Sequence, residues 1–100
     1  MLEMIMNLKN NDGLTLRNFK SISYKTGYQV ADFGESTNNP YEVVTMIEKM
    51  GGNCGIWLEN GIYYVDHSFR VSTKKLALQI GKEHNQISIL KWKTMELVYC

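Results

Sequence analysis

The dipeptide Asn60-Gly61 constrains this chain more than any other feature of its sequence. It lies between two runs of aliphatic and aromatic residues, and Asn-Gly readily adopts the positive φ angles of a type I′ turn. A two-residue loop also sets the register of the strands that it joins. The predicted cross-strand pairs are Leu58 with Tyr63, Trp57 with Tyr64, and Ile56 with Val65. Residues 54–66 are therefore predicted to form an antiparallel hairpin.

The two faces of this hairpin differ in chemistry, because successive side chains of a strand point to opposite sides. One face carries Ile56, Leu58, Tyr63 and Val65, and we assign it to the core. The other face carries Trp57, Glu59, Ile62 and Tyr64. If helices covered this second face instead, Trp57 and Tyr64 would belong to the core. The sequence leaves the choice between the two faces open.

Capping residues and apolar side chains at helical spacing indicate two helices. For the first helix, Asn39 is a suitable N-cap, Pro40 suits the first turn, and Glu42 is placed to complete a capping box. Gly51-Gly52 then ends the helix with residues that accept positive φ angles.

The second helix is predicted to begin after Ser72 or Thr73, either of which can cap it, and to end at Asn85. Its predicted buried stripe consists of Leu76, Ala77, Ile80 and His84. Gly81 lies inside the helix, where it costs about 0.5–1 kcal/mol relative to alanine. We interpret this glycine as a point of close packing against the sheet.

Alternating patterns predict the remaining strands. Residues 14–24 are typical of a short hairpin, residues 28–33 of a strand ended by Gly34, and residues 86–99 of a terminal hairpin. The order β-β-β-α-β-β-α-β-β predicts an α+β fold, with a mostly antiparallel sheet of about five to seven short strands and two helices on one face. We expect a single domain over residues 1–100, with residues 1–12 loosely ordered.

The charge of the chain is balanced overall but unevenly distributed. Its 100 residues contain 11 Lys and Arg against 10 Asp and Glu, a net charge of +1, which is too small for a polyanion binder built on bulk charge. Residues 1–69 carry a net charge of −3 and residues 70–93 a net charge of +5. This polarity favours a charged partner surface. Lys74, Lys75 and Lys82 are also explained as the solvated face of the second helix.

The residues able to carry chemistry form no familiar catalytic or metal-binding motif. Cys54 and Cys100 show no CxxC spacing, and we expect both to be free thiols. Asp66 and Ser68, on either side of His67, are interpreted as ordinary turn residues. We therefore expect neither enzymatic activity nor a cofactor or metal. A small hydrolase or transferase that uses Cys54 or His67 is kept as an alternative, because such sites are defined by geometry.

The apolar segments of the chain are short. None approaches the length of about 18–20 residues that a membrane-spanning helix needs. Residues 1–6 are too short and, at Glu3, too acidic for a secretory signal peptide. With two cysteines as free thiols, we expect a cytoplasmic protein without a membrane partner.

Single-stranded nucleic acid is a second candidate partner. Trp57 and Tyr64 form a predicted cross-strand aromatic pair, and Trp92 lies between Lys91 and Lys93. Bases stack on aromatic rings while cations contact the backbone in proteins that bind single strands. Because the chain has no RNP-type motif and no strong basic excess, this accessory role is kept as an alternative and is not favoured.

Five segments carry a resemblance: KTGYQV at 25–30, GNCGIW at 52–57, GIYYVD at 61–66, ALQIG at 77–81 and NQISI at 85–89. With them, most of residues 14–100 resembles small accessory proteins of bacterial phages and mobile elements, particularly those of Gram-positive hosts. These motifs are structural, and the resemblance implies no catalytic residue. Many proteins of this kind bind and disable a host defence complex, as anti-CRISPR proteins do, and the resemblance implies that context.

The expected function is that of a phage- or mobile-element-encoded, stoichiometric, protein-binding inhibitor of a host defence complex such as a CRISPR effector. Aromatic residues and arginine dominate the energetics of many protein interfaces. We expect the contact surface at Trp57, Glu59, Tyr64, Arg70, Lys74, Lys75 and Trp92. A homodimer is a further arrangement to test, because an edge strand over residues 95–99 can pair with its own copy.

Overall fold

The Asn60-Gly61 hairpin lies at the centre of a seven-stranded antiparallel sheet in the computed structural model, which describes residues 1–100. The strands are β1 (Gly13–Arg17), β2 (Lys20–Ser21), β3 (Tyr28–Thr37), β4 (Cys54–Glu59), β5 (Ile62–Val71), β6 (Ser88–Lys91) and β7 (Glu96–Tyr99). The helices are α1 (Leu2–Met6), α2 (Pro40–Lys49) and α3 (Lys74–Glu83). The strand order across the sheet is β2-β1-β4-β5-β3-β6-β7. The predicted α+β class and antiparallel sheet are confirmed.

The register of the central hairpin is the predicted one, and it decides which face is covered. Ile56 pairs with Val65 and both are buried, whereas Trp57 pairs with Tyr64 and both are exposed. The apolar side chains of all three helices meet the sheet on the Val65 side. We call this the helix face and the opposite side, which no helix covers, the open face.

Helix α1 is an addition to the predicted order. The sequence predicts a loosely ordered segment over residues 1–12, but Leu2–Met6 form a helix whose Ile5 is fully buried. Ile5 packs in the same core cluster as Val43 and Ile47 of α2. Burial of an isoleucine side chain stabilises the folded chain by roughly 1.5–3 kcal/mol, which explains why this short helix is held in place.

The predicted N-cap of α2 is confirmed, but the predicted capping box is wrong. The Asn39 side-chain oxygen accepts a hydrogen bond from the Tyr41 amide at 2.9 Å. Glu42 does not reach back to Asn39; its carboxylate accepts a hydrogen bond from the Thr37 hydroxyl at 2.6 Å. The Thr37 oxygen in turn accepts from the Asn39 amide at 3.1 Å, so threonine satisfies the donor that a capping box would satisfy.

Strands β3 and β5 are longer than the sequence predicts. Gly34 does not end β3, and the strand continues beyond it to Thr37. Residues 66–71, expected as a turn and an approach to the second helix, are the second half of β5. The two ten-residue strands pair along their lengths, with a bulge at Asp32 that absorbs one extra residue. Each strand supplies hydrogen-bond partners for the backbone N–H and C=O groups of the other, and this allows both strands to continue.

Helix α3 has the predicted Thr73 cap but a different buried stripe. Leu76 and His84 are exposed, whereas Ala77 and Gly81 are buried against the sheet. A Cβ atom at Gly81 would lie 2.7 Å from the Cys100 sulfur, so the predicted close approach at this glycine is confirmed. Small residues form this stripe because the helix lies close to the last strands. None of the helices has the length and apolar character needed to cross a membrane.

Two glycines with left-handed backbones provide a matched test of this packing. Gly61 (φ 79°) has open space beside its Cα atom, whereas a Cβ at Gly52 (φ 76°) would lie 2.5 Å from the Phe19 backbone nitrogen. We expect Gly61→Ala to lower the free energy of unfolding by about 1–2 kcal/mol through backbone strain alone. Gly52→Ala is expected to lose roughly 1–3 kcal/mol more through overpacking. Urea unfolding measures both, and equal losses would contradict the proposed contact.

Candidate functional site

A row of small side chains crosses the middle of the open face. The strand registers align Thr15 of β1 with Gly55 of β4, Gly55 with Asp66 of β5, and Asp66 with Gly34 of β3. Asp66 is thus the only charged side chain in its row and lies between two glycines. Glycine inside a strand leaves space where a side chain would otherwise stand. The row forms the floor of a depression in the sheet.

This depression is a groove of about 860 Å³, within the range of ligand-binding pockets. Its floor combines the small residues with Ser68, Gln29 and Ala31. Its walls are mainly apolar: Ile22 and Trp57 on the β1–β4 side, and Ile87, Leu90, Met95 and Leu97 on the β6–β7 side. Ile87, Met95 and Leu97 are all exposed, so the groove opens onto an apolar rim.

The Asp66 carboxylate is the one charged group on the groove floor. It leans over Gly34, where an added Cβ would collide with Oδ1. No side-chain or backbone donor forms a hydrogen bond to it, and no cation lies within ion-pair distance. Partial burial raises the pKa of Asp66, because desolvation disfavours the charged form. The groove therefore presents an uncompensated acidic group at its base.

A chain of hydrogen bonds holds the neighbouring polar groups of the floor in place. The Trp92 indole N–H donates to the Gln29 side-chain oxygen at 3.2 Å. The Gln29 amide nitrogen donates to the Ser68 hydroxyl at 3.0 Å, and Ser68 is buried. Gln29 and Ser68 thus each have a hydrogen-bond partner within the chain, whereas the Asp66 side chain has none.

Residues 22–27 connect β2 to β3 and lie against one end of the groove. Tyr24 is held there from three sides. Its hydroxyl accepts from Arg17 at 3.3 Å, the Arg70 guanidinium lies 5.4 Å from its ring centre, and the Trp92 ring meets it edge-on at 5.6 Å. A smaller cavity of about 350 Å³ lies beside Tyr24. The aromatic and cationic contacts close the groove at this end.

The residues predicted as a contact surface fall into separate places. Trp57, Tyr64 and Glu59 are exposed on neighbouring positions of β4 and β5; Trp57 lines the groove, and the other two lie beside it on the open face. Arg70 is committed to internal contacts, since its guanidinium donates to the Thr26 carbonyl and hydroxyl oxygens. The remaining two cations, Lys74 and Lys75, begin α3 on the helix side. The structure therefore joins only the Trp57, Tyr64 and Glu59 part of the predicted surface.

Trp92 is not part of an exposed surface, contrary to the sequence-based expectation. Only 4% of the residue is exposed, because its ring packs against Tyr24 and its N–H bonds to Gln29. The flanking lysines suggested exposure, but β6 ends at Lys91 and Trp92 begins the turn that follows, where its ring packs inward. Trp92 positions the groove floor and does not offer a ring for a partner to stack on.

Cys54 and His67 are direct cross-strand neighbours on the helix face. Cys54 is fully buried, and burial, followed by the charge of Asp66, raises the pKa of its thiol to about 11. A protonated buried thiol is a poor nucleophile. The His67 ring lies 2.8 Å from an Asp32 oxygen and stacks on Phe33. No group of three His, Cys, Asp or Glu side chains is placed to hold a metal ion.

The groove floor is the part of the site that sequence reasoning missed. Asp66 and Ser68 looked like turn residues because they follow an apolar run, and Gly34 looked like the end of a strand. The signal was the glycines themselves, since a glycine inside a strand indicates a bulge or a close approach. Recognising it required knowing that β3 continues beyond Gly34 and pairs with β5.

Comparison with known proteins gives no relative on which to base a function: no family model, no curated protein and no solved structure matches the chain. Inference about function therefore depends on the groove and its rim.

Trp57 and Trp92 are expected to respond very differently to truncation. Trp92→Ala removes a buried ring and its hydrogen bond to Gln29, so we expect the free energy of unfolding to fall by about 3–5 kcal/mol. Trp57→Ala removes a ring that is 45% exposed, and we expect a loss of about 1 kcal/mol. Urea unfolding of both variants tests this assignment. A Trp92→Ala variant as stable as Trp57→Ala would contradict the burial of Trp92.

Asp66→Asn is expected to stabilise the chain at neutral pH. A carboxyl whose pKa is raised by folding binds its proton more tightly in the folded state, so its contribution to stability falls as pH rises through the folded pKa. The asparagine variant should therefore unfold at higher urea concentration at pH 7 and show little difference at about pH 3, where aspartate is protonated in both states. Glu35→Gln, which removes an exposed strand carboxylate on the helix face, is the control for the loss of one negative charge from the sheet.

Proposed function

We propose that the chain is a protein-binding module that acts by covering a surface of its partner with the open face of its sheet. Following the resemblance noted in the sequence, the proposed partner is a bacterial host defence complex such as a CRISPR effector, and the chain is its phage- or mobile-element-encoded stoichiometric inhibitor. The observation that carries the proposal is the exposed Trp57–Tyr64 pair on the open face, where Trp57 lines a groove that no helix covers.

The rim has the composition of a protein-binding surface. Trp57 and Tyr64 are 45% and 43% exposed, and each offers a large ring with few rotatable bonds. The opposite rim adds Ile87, Met95 and Leu97, which are exposed apolar side chains around the same groove. Exposed apolar side chains grouped on one face of a folded chain are typical of an interaction site.

The size of the open face also suits a protein partner. A standard interface covers about 800 Å² on each partner, which is roughly an eighth of the 6294 Å² accessible surface of this chain. One side of a seven-stranded sheet provides that area without any rearrangement of the core. A small chain of this kind can inhibit by occupying a surface that the partner needs for its own substrate.

The charges around the groove favour protein over single-stranded nucleic acid. The groove floor carries the Asp66 carboxylate, and Glu59 is exposed two positions from Trp57 on the same face; both carboxylates repel phosphates. Arg17 and Arg70, the cations nearest the closed end, are engaged with Tyr24. Stacking of bases on Trp57 and Tyr64 would therefore lack the cationic backbone contacts that single-strand binders use.

The proposal is tested with a double variant of the rim. The chain is expressed with a tag in a bacterium that carries an active CRISPR defence, and both phage plating and co-purification of the defence complex are measured. We expect the wild-type chain to restore plating and to bring down the complex. Trp57→Ala with Tyr64→Ala is expected to weaken binding at least about a hundredfold, because two interface aromatics are lost.

A matched control variant removes two exposed apolar side chains on the helix side, Tyr41→Ala with Leu76→Ala. It should behave like the wild-type chain. If the control loses binding and the rim variant keeps it, the open face is not the contact surface. If the wild-type chain neither restores plating nor binds the complex in any host with an intact defence, the proposed class of partner is wrong.

A further inference from the structure

We propose that the groove floor receives the side chain of a lysine or arginine from the protein partner, with Asp66 as its counter-ion. This inference rests on the proposed function, because it names the chemistry of the residue that anchors the partner in the open face. It is carried by the position of Asp66 on the groove floor, its lack of any partner, and the apolar and aromatic walls around it.

The first step is that the carboxylate is placed for a ligand and not for the fold. Asp66 lies in the middle of β5, in a row whose neighbouring positions are Gly34 and Gly55. No group of the chain donates a hydrogen bond to its oxygens. An isolated charge withdrawn from water is unfavourable to the folded state unless it gains a partner. Groups that lower stability in this way concentrate at functional sites, where a ligand supplies the missing interaction.

The second step is that the walls fit the stem of a long basic side chain. Trp57 lines the groove from the row next to Gly55 and Asp66, and Trp92 lines it as well, so aromatic surface is available beside the carboxylate. Lysine and arginine have apolar stems that pack on such rings while the charged end reaches further. The faces of Trp and Tyr also attract an ammonium or guanidinium group. One ligand can therefore pack its stem on Trp57 and end at Asp66.

The third step is that the floor selects for positive charge. Gln29 and Ser68 are already joined by a hydrogen bond, whereas the Asp66 carboxylate receives no donor, so the floor favours a ligand that donates hydrogen bonds. An anionic ligand would meet the carboxylate directly and be repelled. A single carboxylate without a second ligand does not make a metal site. An organic cation on an apolar stem satisfies the charge and fills the groove.

The source of the cation is assigned to a protein because of the shape of the groove. Its volume of about 860 Å³ exceeds what one lysine stem fills, and it opens onto the apolar rim of Met95 and Leu97. A residue presented from a partner surface fills the floor with its side chain while its apolar neighbours cover the rim. A free amine would leave that rim uncovered.

The test uses short peptides as probes and the complete chain as receptor. Ac-Leu-Arg-Leu-NH₂ and Ac-Leu-Lys-Leu-NH₂ are titrated into ¹⁵N-labelled chain, and the amide resonances of Gly34, Gly55 and Asp66 are followed by NMR. The neutral control is the same peptide with citrulline in place of arginine, which keeps the shape and removes the charge. We expect both cationic peptides to bind at least about tenfold more tightly than the citrulline peptide.

Variants of the chain then locate the charge. Asp66→Asn should lose at least tenfold in affinity for the cationic peptides and bind the citrulline peptide as the wild type does. Gly34→Ala, whose Cβ displaces the carboxylate, is a second variant and should show the same loss. Glu35→Gln removes an equal charge from the helix face and should leave every affinity unchanged. The dispersion of the amide spectrum reports whether each variant is folded.

Three results would overturn the proposal. Equal binding of the arginine and citrulline peptides would show that charge is not read, and unchanged affinity in Asp66→Asn would show that Asp66 is not the counter-ion. Free n-butylammonium that binds as tightly as the peptides would reject a protein side chain as the ligand. None of these results changes the outcome of the test with the Trp57 and Tyr64 double variant. The proposed function and the proposed role of Asp66 can therefore fail independently.

Discussion

The pairing of β5 with β4 on one side and with β3 on the other is the interaction on which the rest of the structure depends. It gives β5 a partner for its backbone along almost its whole length, and it sets the direction of every side chain on three strands. Val65 and its neighbours on one side receive the helices, while Asp66 in the adjacent position faces away from them. A one-residue slip would exchange these faces and place a carboxylate in the apolar core.

The groove is a consequence of this alternation combined with missing side chains. Two glycines beside Asp66 leave the floor low, and the hydrogen-bonded chain from Trp92 through Gln29 to Ser68 holds the adjoining floor rigid. The residues that make the groove are thus spread over strands that are distant in sequence. An uncompensated carboxylate on the floor lowers the free energy of unfolding. Apolar packing on the helix face offsets that loss. The core thus lies on one side of the sheet and the unpaired carboxylate on the other, and this arrangement permits the proposed binding role.

Prediction from sequence succeeded where the signal was local. The Asn60-Gly61 turn, the Asn39 cap of α2 and the Thr73 cap of α3 depend on residues within a few positions of one another, and each is present. It was less successful where a distant partner decided the outcome. Gly34 continues β3 because β5 pairs with it, Leu76 is exposed because α3 turns Ala77 and Gly81 to the sheet, and α1 forms because a core receives Ile5.

The amino-acid sequence by itself determined the α+β class, the register of the central hairpin and the placing of its aromatic pair opposite its apolar one, because turn chemistry and side-chain alternation are short-range properties of the chain. Only the tertiary structure decided which face stays uncovered, that Trp92 is buried, and that Asp66 stands alone between two glycines. These outcomes depend on which strands become neighbours and where the helices pack. Such long-range contacts produce no repeating pattern of residues from which they could be predicted.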